Sequence, residues 1–117
     1  MTDEIKKRLL DVVNACEAIA TFTAGKDFAA YESEHLLRSA VERQFEIIGE
    51  ALNRGVTGEP SLARKIPDLH RIVGLRHRLI HGYDNVDDEI LWDALRTKLE
   101  PLKTQVEAVL RGTGDTP

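Results

Sequence analysis

The sequence predicts an all-α fold, an antiparallel four-helix bundle with additional short helices. Its 117 residues fit one domain of ordinary size. Good helix formers such as leucine, alanine and glutamate are abundant, while aromatic residues make up 5% of the chain. Apolar residues recur every three or four positions in four long stretches, which is the period of an amphipathic helix. We expect a single helical domain over residues 1–111 and a flexible tail over residues 112–117.

The first principal helix and the short helix after it are predicted from their end signals. Thr2 or Asp3 can cap the first helix, because a short polar side chain accepts a hydrogen bond from a free backbone amide of the first turn. Gly25 is expected to end this helix near residue 24. Asp27 can then cap a short helix or turn that opens at Phe28.

A long second principal helix follows. Gly55, Gly58 and Pro60 then interrupt the helical pattern, and residues 61–67 are expected to form a short helical turn before Pro67. The apolar residues of the long helix are spaced to form one buried face: Leu37, Val41, Phe45, Ile48 and Leu52.

The remaining two principal helices are predicted in the same way. Asp68 can cap the third, and Gly82 marks its expected end. Asp87 or Asp88 can cap the last helix. Pro101 falls inside its periodic stretch and should kink or restart it, because proline lacks a backbone donor and clashes with the preceding turn. The expected core face of this last helix is Ile90, Leu91, Ala94, Leu95, Leu99, Leu102, Val106 and Val109.

Charge and composition limit the classes of function. The net charge of −4 argues against broad, non-specific coating of nucleic acid, so any contact with RNA should use a local basic site, and no DNA partner is expected. We see no signal-like segment and no apolar run of about 20 residues, which predicts a cytoplasmic protein without a membrane partner. Cys16 is the one cysteine, and its place in an apolar helical pattern predicts a small buried side chain.

One segment of the chain is unusually rich in chemically active side chains. Residues 76–83, RHRLIHGY, hold two arginines, two histidines and a tyrosine at the end of the third helix. On an ideal helix Arg76 and His81 are five positions apart and diverge by about 140°. A shared site therefore requires either a distorted helix end or a second copy of the chain that contributes its own pair across a two-fold axis.

This set of residues suits phosphodiester chemistry. Arginine offers a permanently charged, planar fork of donors that matches phosphate. Histidine can give or take a proton near neutral pH. One histidine could deprotonate a ribose 2′-hydroxyl while another protonates the leaving 5′-oxygen, which yields a 2′,3′-cyclic phosphate. That scheme uses no metal and no cofactor.

The segment Arg76–Tyr83 also resembles a family signature, the Arg-x4-His-x-Tyr motif of the HepT-like toxins in the HEPN superfamily. The resemblance extends upstream through RSAVERQFEIIGEALNR (38–54) and downstream through YDNVDDEILWDAL (83–95). It covers nearly the whole chain, although the first helix matches in pattern more than in residues. The three segments together form a specific signal, whereas a bare Arg-x4-His would be a weak one.

The resemblance implies a function and a set of partners. HepT-like proteins are homodimeric RNA-cleaving toxins of type VII toxin–antitoxin systems, paired with a minimal nucleotidyltransferase antitoxin of the MntA type. By position, Arg76 and His81 would be the catalytic residues, and Tyr83 would be the tyrosine to which the antitoxin adds AMP. His77 departs from the family, in which asparagine commonly follows the motif arginine, and it could add a second proton-transfer group.

Other interpretations of the same residues remain open. Arg76 could form a structural salt bridge with Glu46 or Glu50. These two glutamates could orient Arg76, or they could belong to a solvated charged face. His77 and His81 have the spacing of a metal-binding pair, although no third ligand is evident. The chain could also be a non-catalytic helical dimer that binds, and is modified by, a nucleotidyltransferase.

Overall fold

A computed structural model describes residues 1–80 and 88–112 of the chain, without the side chains of residues 79 and 80. No strand occurs in these ranges, so the all-α prediction is confirmed. The expected helix end at Gly82 and residues 113–117 of the expected tail lie outside the described residues. The helices are α1 (Asp3–Thr23), α2 (Phe28–Ser33), α3 (His35–Gly58), α4 (Leu62–Lys65), α5 (Leu69–Ile80), α6 (Asp88–Thr97) and α7 (Leu99–Gly112).

The long helices pack as antiparallel neighbours. Helix α1 packs against α3 and α7, and α3 packs against α5 on its other flank. A Cβ at Gly58, the end of α3, would lie 2.8 Å from Cδ1 of Ile5 at the start of α1. Lys103 near the start of α7 lies 3.6 Å from Glu17 in the second half of α1. Both contacts join the beginning of one helix to the end of its neighbour.

Two of the predicted helix caps, Thr2 and Asp27, are confirmed. The Ile5 backbone amide donates to Oγ1 of Thr2 at 3.2 Å, and the Ala30 amide donates to Oδ1 of Asp27 at 2.9 Å. Gly25 has a φ of +72°, in the left-handed region that glycine enters without steric cost. These local signals therefore set the length of α1 and the start of α2.

The core lies between α1, α3, α5 and α7. All five predicted apolar positions of α3 are buried. Helix α3 nevertheless passes through Gly55 and ends at Gly58. Gly55 is buried where α4 approaches, because a Cβ there would lie 3.3 Å from Cδ1 of Leu62. This glycine serves close packing between helices rather than a break.

The last predicted helix restarts just before Pro101, which is one of the two outcomes predicted for it. The chain leaves α6 at Thr97 and starts α7 at Leu99, which puts Pro101 in the first turn of α7. The first backbone amides of a helix have no acceptor within the helix, so proline costs little there. The next amide, that of Leu102, already donates to the Lys98 carbonyl at 3.0 Å.

The core face predicted for α6 is wrong at one residue. Leu91 is fully buried, but Ile90 is 41% exposed. Helix α6 leans on α2 and continues into α7. Trp92 packs its half-buried ring against Tyr31 of α2, with ring centroids 5.3 Å apart. The flank of α6 that carries Ile90 faces away from that contact.

The interior is apolar and contains the lone cysteine. Cys16 is buried in α1, and burial raises the pKa of its thiol to about 12. This agrees with the predicted role of a small apolar side chain. Within the described ranges, no helix combines the length and the apolar character that a bilayer crossing requires.

Candidate active site

Arg76 packs closely against the neighbouring helix α3 because the residue it faces there, Gly49, has no side chain. It lies on α5, where the stem of its side chain crosses α3 directly over Gly49. A Cβ at Gly49 would overlap Cβ of Arg76 and would lie 2.6 Å from its Cγ. Such separations do not occur between real carbon atoms, so only glycine permits this contact.

The Arg76 side chain is half-buried, and its Nε atom is fully buried without a hydrogen-bond partner in the described part of the chain. No ion pair joins it to Glu46 or Glu50 there. Glu50 instead pairs with Arg54 one turn later on α3, at 3.3 Å. The interpretation of Arg76 as an interhelical salt bridge to these glutamates therefore finds no contact in residues 1–80 and 88–112.

The other motif residues stand as follows. His77 is exposed on α5, immediately after Arg76 and about 100° around the helix from it. The α5 helix reaches Ile80, and His81 is the next residue of the sequence. Both His81 and Tyr83 lie outside the described residues. Their predicted roles stay predictions, as do the orienting roles of Glu46 and Glu50.

A row of acidic residues on α3 leads away from Gly49. Glu42, Glu46 and Gly49 are spaced by four and three residues and so share one face. Both carboxylates are half-buried. Because α5 runs antiparallel to α3, the row extends from the Arg76 contact in the direction in which α5 approaches Ile80.

Glu42 is the member of this row whose carboxyl group has a raised pKa. Burial raises the pKa of its carboxyl group, and the nearby carboxylates of Asp88 and Glu46 raise it further. Arg38 acts in the opposite direction. This arginine also lies 3.8 Å from Asp88, where it joins the start of α6 to α3.

Tyr31 completes this junction. Its ring is fully buried, and its hydroxyl has no hydrogen-bond partner among the described residues. Burial raises the pKa of the Tyr31 hydroxyl, with further contributions from Glu42 and Asp88. We call Tyr31, Arg38, Glu42 and Asp88 the acidic junction. It fixes the start of α6, the first described residues after the segment that contains His81.

Sequence reasoning missed Gly49 and Glu42. A single glycine inside an otherwise unbroken helical pattern was the available signal for Gly49, since such a residue commonly marks a close approach. Glu42 had a weaker signal, its spacing of four residues from both Arg38 and Glu46. In the described residues, no group of three or more histidine, cysteine or acidic side chains is arranged to hold a metal ion.

Comparisons with known proteins agree on one family. The family model described as Ribonuclease HepT-like matches residues 12–109. A Methanocaldococcus jannaschii protein, named as a candidate RNase, is 32% identical over 108 residues, which are 91% of this chain and 96% of that protein. A Thermococcus cleftensis protein, named as a candidate HepT ribonuclease, is 32% identical over 102 residues, or 87% and 92% of the two chains. No solved structure gives a significant match.

The Gly49 contact predicts opposite effects for two glycine-to-alanine changes. Gly49→Ala should lower the free energy of unfolding by about 1 to 3 kcal/mol, because its Cβ overlaps Arg76 and must push α5 from α3. Gly74→Ala on α5 is the matched control. Its Cβ meets nothing within 4 Å, so it should raise stability by about 0.5 to 1 kcal/mol through helix propensity. Urea unfolding of both variants measures this, and equal effects would contradict the packing described.

The acidic junction predicts that Glu42→Gln raises the stability of the fold in a pH-dependent way. A carboxyl group with a raised pKa favours its protonated form in the folded state, so its cost to stability appears as the pH rises above the ordinary value for glutamate. Glu42→Gln should therefore raise the melting temperature at pH 7 by about 2 to 4 °C.

The same gain in stability should largely disappear near pH 4, where the Glu42 carboxyl group is mostly protonated in both the folded and the unfolded state. Glu32→Gln, an exposed glutamate on α2, is the control and should leave the melting temperature unchanged at both pH values. Thermal melts monitored by circular dichroism measure the difference. A Glu42→Gln protein that is less stable than wild type at pH 7 would show that the carboxylate has a stabilising partner.

Proposed function

The chain belongs to the HepT-like ribonuclease family, and we propose that it is a metal-independent endoribonuclease, the toxin of a type VII toxin–antitoxin pair. The observation that carries the proposal is the close packing of the Arg76 side chain on Gly49. It holds the first residue of the Arg-x4-His-x-Tyr motif in a defined place, with a buried Nε that has no partner among the described residues. The nuclease assignment is supported by relatives that are named as candidate RNases and that match this chain over almost their full length.

The proposed reaction is an internal transesterification. His81 removes the proton from a ribose 2′-hydroxyl, and the 2′-oxygen attacks the adjacent phosphorus. The bond from phosphorus to the 5′-oxygen breaks, and an imidazolium returns a proton to that oxygen. The products are a 2′,3′-cyclic phosphate and a free 5′-hydroxyl. The Arg76 guanidinium stabilises the charge that builds on the non-bridging oxygens.

A homodimer supplies the second histidine in this proposal. Arg76 faces α3, whereas His77 points about 100° around α5. One helix therefore presents its arginine and histidine in different directions, and a two-fold axis can bring an arginine from one subunit toward a histidine from the other. His77 is a supporting residue in this arrangement, close enough in sequence to contribute a second imidazole.

The proposed partner is a minimal nucleotidyltransferase of the MntA type, which transfers AMP to Tyr83. Tyr83 lies two residues after His81, so each added adenylate would bring bulk and negative charge beside a site that binds an anion. Such a modification would block RNA entry by steric exclusion and by charge repulsion. A cytoplasmic location is part of the proposal, because both RNA and the transferred nucleotide are available there.

Removal of either motif residue should abolish cleavage. We expect Arg76→Ala and His81→Ala each to lower the rate of RNA cleavage by at least about 100-fold, because they remove charge stabilisation and proton transfer respectively. Arg43→Ala, which removes an exposed arginine from α3, is the control and should cleave like wild type. The measurement is gel analysis of end-labelled RNA in excess chelator, with the product ends tested for a cyclic phosphate.

Two results would contradict this assignment. Activity that is lost in chelator and restored by a divalent metal would favour a metal-dependent hydrolase that uses His77 and His81. Unmodified wild-type protein that folds and dimerises but cuts no RNA would favour a non-catalytic module that binds the nucleotidyltransferase. Chelator-resistant cleavage that depends on both Arg76 and His81 supports the proposal against either alternative.

Tyr83→Phe should separate toxicity from its control. The variant retains Arg76 and His81 but offers no hydroxyl for AMP transfer, so the antitoxin should no longer neutralise it. Co-expression of toxin and antitoxin should then arrest growth with Tyr83→Phe and allow growth with wild type, and intact mass should show adenylate only on wild type. Full neutralisation of Tyr83→Phe would instead indicate inhibition by binding alone.

A further inference from the structure

The exposed face of α5 carries two arginines and two histidines and no acidic residue. Its members are spaced to lie within about 120° of one another on the side away from Arg76. Nothing lies within 4 Å of a Cβ built at Gly74, so the middle of the face is open. We call these residues the outer face of α5: His70, Arg71, Gly74, His77 and Arg78.

The segment that contains this face has a net charge opposite in sign to that of the rest of the chain. Residues 62–80 hold five lysine or arginine residues and one aspartate, a net charge of +4. Because the whole chain carries −4, the remaining residues carry −8. Polyanion binding is therefore electrostatically more favourable near this segment than near the rest of the chain.

A groove of about 300 Å³ runs beside the outer face, between α5 and α6. The 41% exposed Ile90 and the half-buried Ala94 form its apolar wall on α6, and Ile72 and Leu75 border it from the core. We call it the α5–α6 groove. It explains why Ile90 is exposed, because the flank of α6 that was expected in the core forms a wall of this groove instead.

Cations outnumber anions along the groove. Arg71, Arg78 and Lys98 line it, against Asp93 as its one acidic residue in the described chain. Lys98 lies 3.8 Å from Asp68 and is thus partly neutralised. Arg71 is exposed, and it forms no ion pair or hydrogen bond with any described residue.

We propose that the α5–α6 groove binds the single-stranded RNA substrate beside the cleaved bond, with a base on the apolar wall and Arg71 on an adjacent phosphate. The proposal rests on the ribonuclease function above. An apolar wall with a cationic rim matches an unstacked nucleotide, whose base offers an apolar face and whose phosphate offers charge. A base-paired duplex hides its base faces and does not match.

The placement along α5 agrees with this role. Gly74 and Arg78 are one helical turn apart, about 6 Å along the axis, and His77 lies between them. Helix α5 ends at Ile80, and His81 is the next residue of the sequence. RNA bound along the outer face would therefore run toward the motif histidine. The open position at Gly74 lets the strand approach the helix backbone closely.

The test measures RNA binding without cleavage. Fluorescence anisotropy of a labelled single-stranded RNA is recorded with His81→Ala protein as the parent, over a series of salt concentrations. Addition of Arg71→Gln should weaken binding about five- to tenfold and lower the slope of log Kd against log salt by about 1, as expected for the loss of one phosphate contact. Arg43→Gln, an exposed arginine on α3, should change neither quantity.

A second variant tests the groove by shape alone. Gly74→Leu adds an apolar side chain in open space without a change of charge, so the fold should be retained. We expect at least tenfold weaker binding with an unchanged salt slope. In protein with His81 intact, Arg71→Gln should raise KM and leave kcat within about twofold, because it contacts RNA away from the reacting atoms.

The outcomes distinguish this inference from the proposed function. RNA binding that equals that of the parent protein in both Arg71→Gln and Gly74→Leu overturns the groove and leaves the nuclease intact. Wild type that binds RNA through Arg71 but never cleaves it supports the groove and overturns the nuclease. If Arg71→Gln changes the sedimentation of the dimer while its RNA affinity is unchanged, the groove is a protein contact and the inference is wrong.

Discussion

The contact between Arg76 and Gly49 is the constraint on which the candidate site depends. Without a Cβ on α3 at this point, α5 approaches closely enough for the arginine stem to lie across the neighbouring helix. Ordering of this long side chain is then included in folding, so less conformational entropy is lost when a phosphate binds. Arginine also retains its charge when half-buried, which a lysine does less reliably. In the proposed reaction, this packing of two helices would present an ordered guanidinium to the phosphate.

The sequence predicted the features that depend on local chemistry. Caps at Thr2 and Asp27 and the restart at Pro101 involve neighbours within four residues, so the side chains alone define them. The sequence could not predict that Ile90 is exposed. Apolar periodicity shows which face of a helix is apolar but not whether another helix covers that face. Helix α6 leans on α2 through Trp92, and its Ile90 flank has no such cover.

The contacts of the candidate site could not be predicted for the same reason, because they also depend on which helices meet. Arg76 was identified from its motif, but the surface it contacts is set by a glycine 27 residues earlier, and only a tertiary contact joins them. The strain at Glu42 likewise arises from burial and from Asp88, 46 residues away in sequence. Such couplings depend on which residues meet across helices. A single sequence carries the chemistry of each residue but not these pairings.

The direction of α5 adds an electrostatic requirement. A helix carries partial negative charge at its C-terminal end, which opposes the approach of a phosphate. The acidic row on α3 extends in the same direction, and any carboxylate that is ionised there would add to that opposition. A site near the end of α5 can bind RNA only if cations outweigh both effects, and Arg78 lies in the last turn. The basic residues of α5 therefore have an electrostatic reason to be concentrated on the one helix that carries the motif.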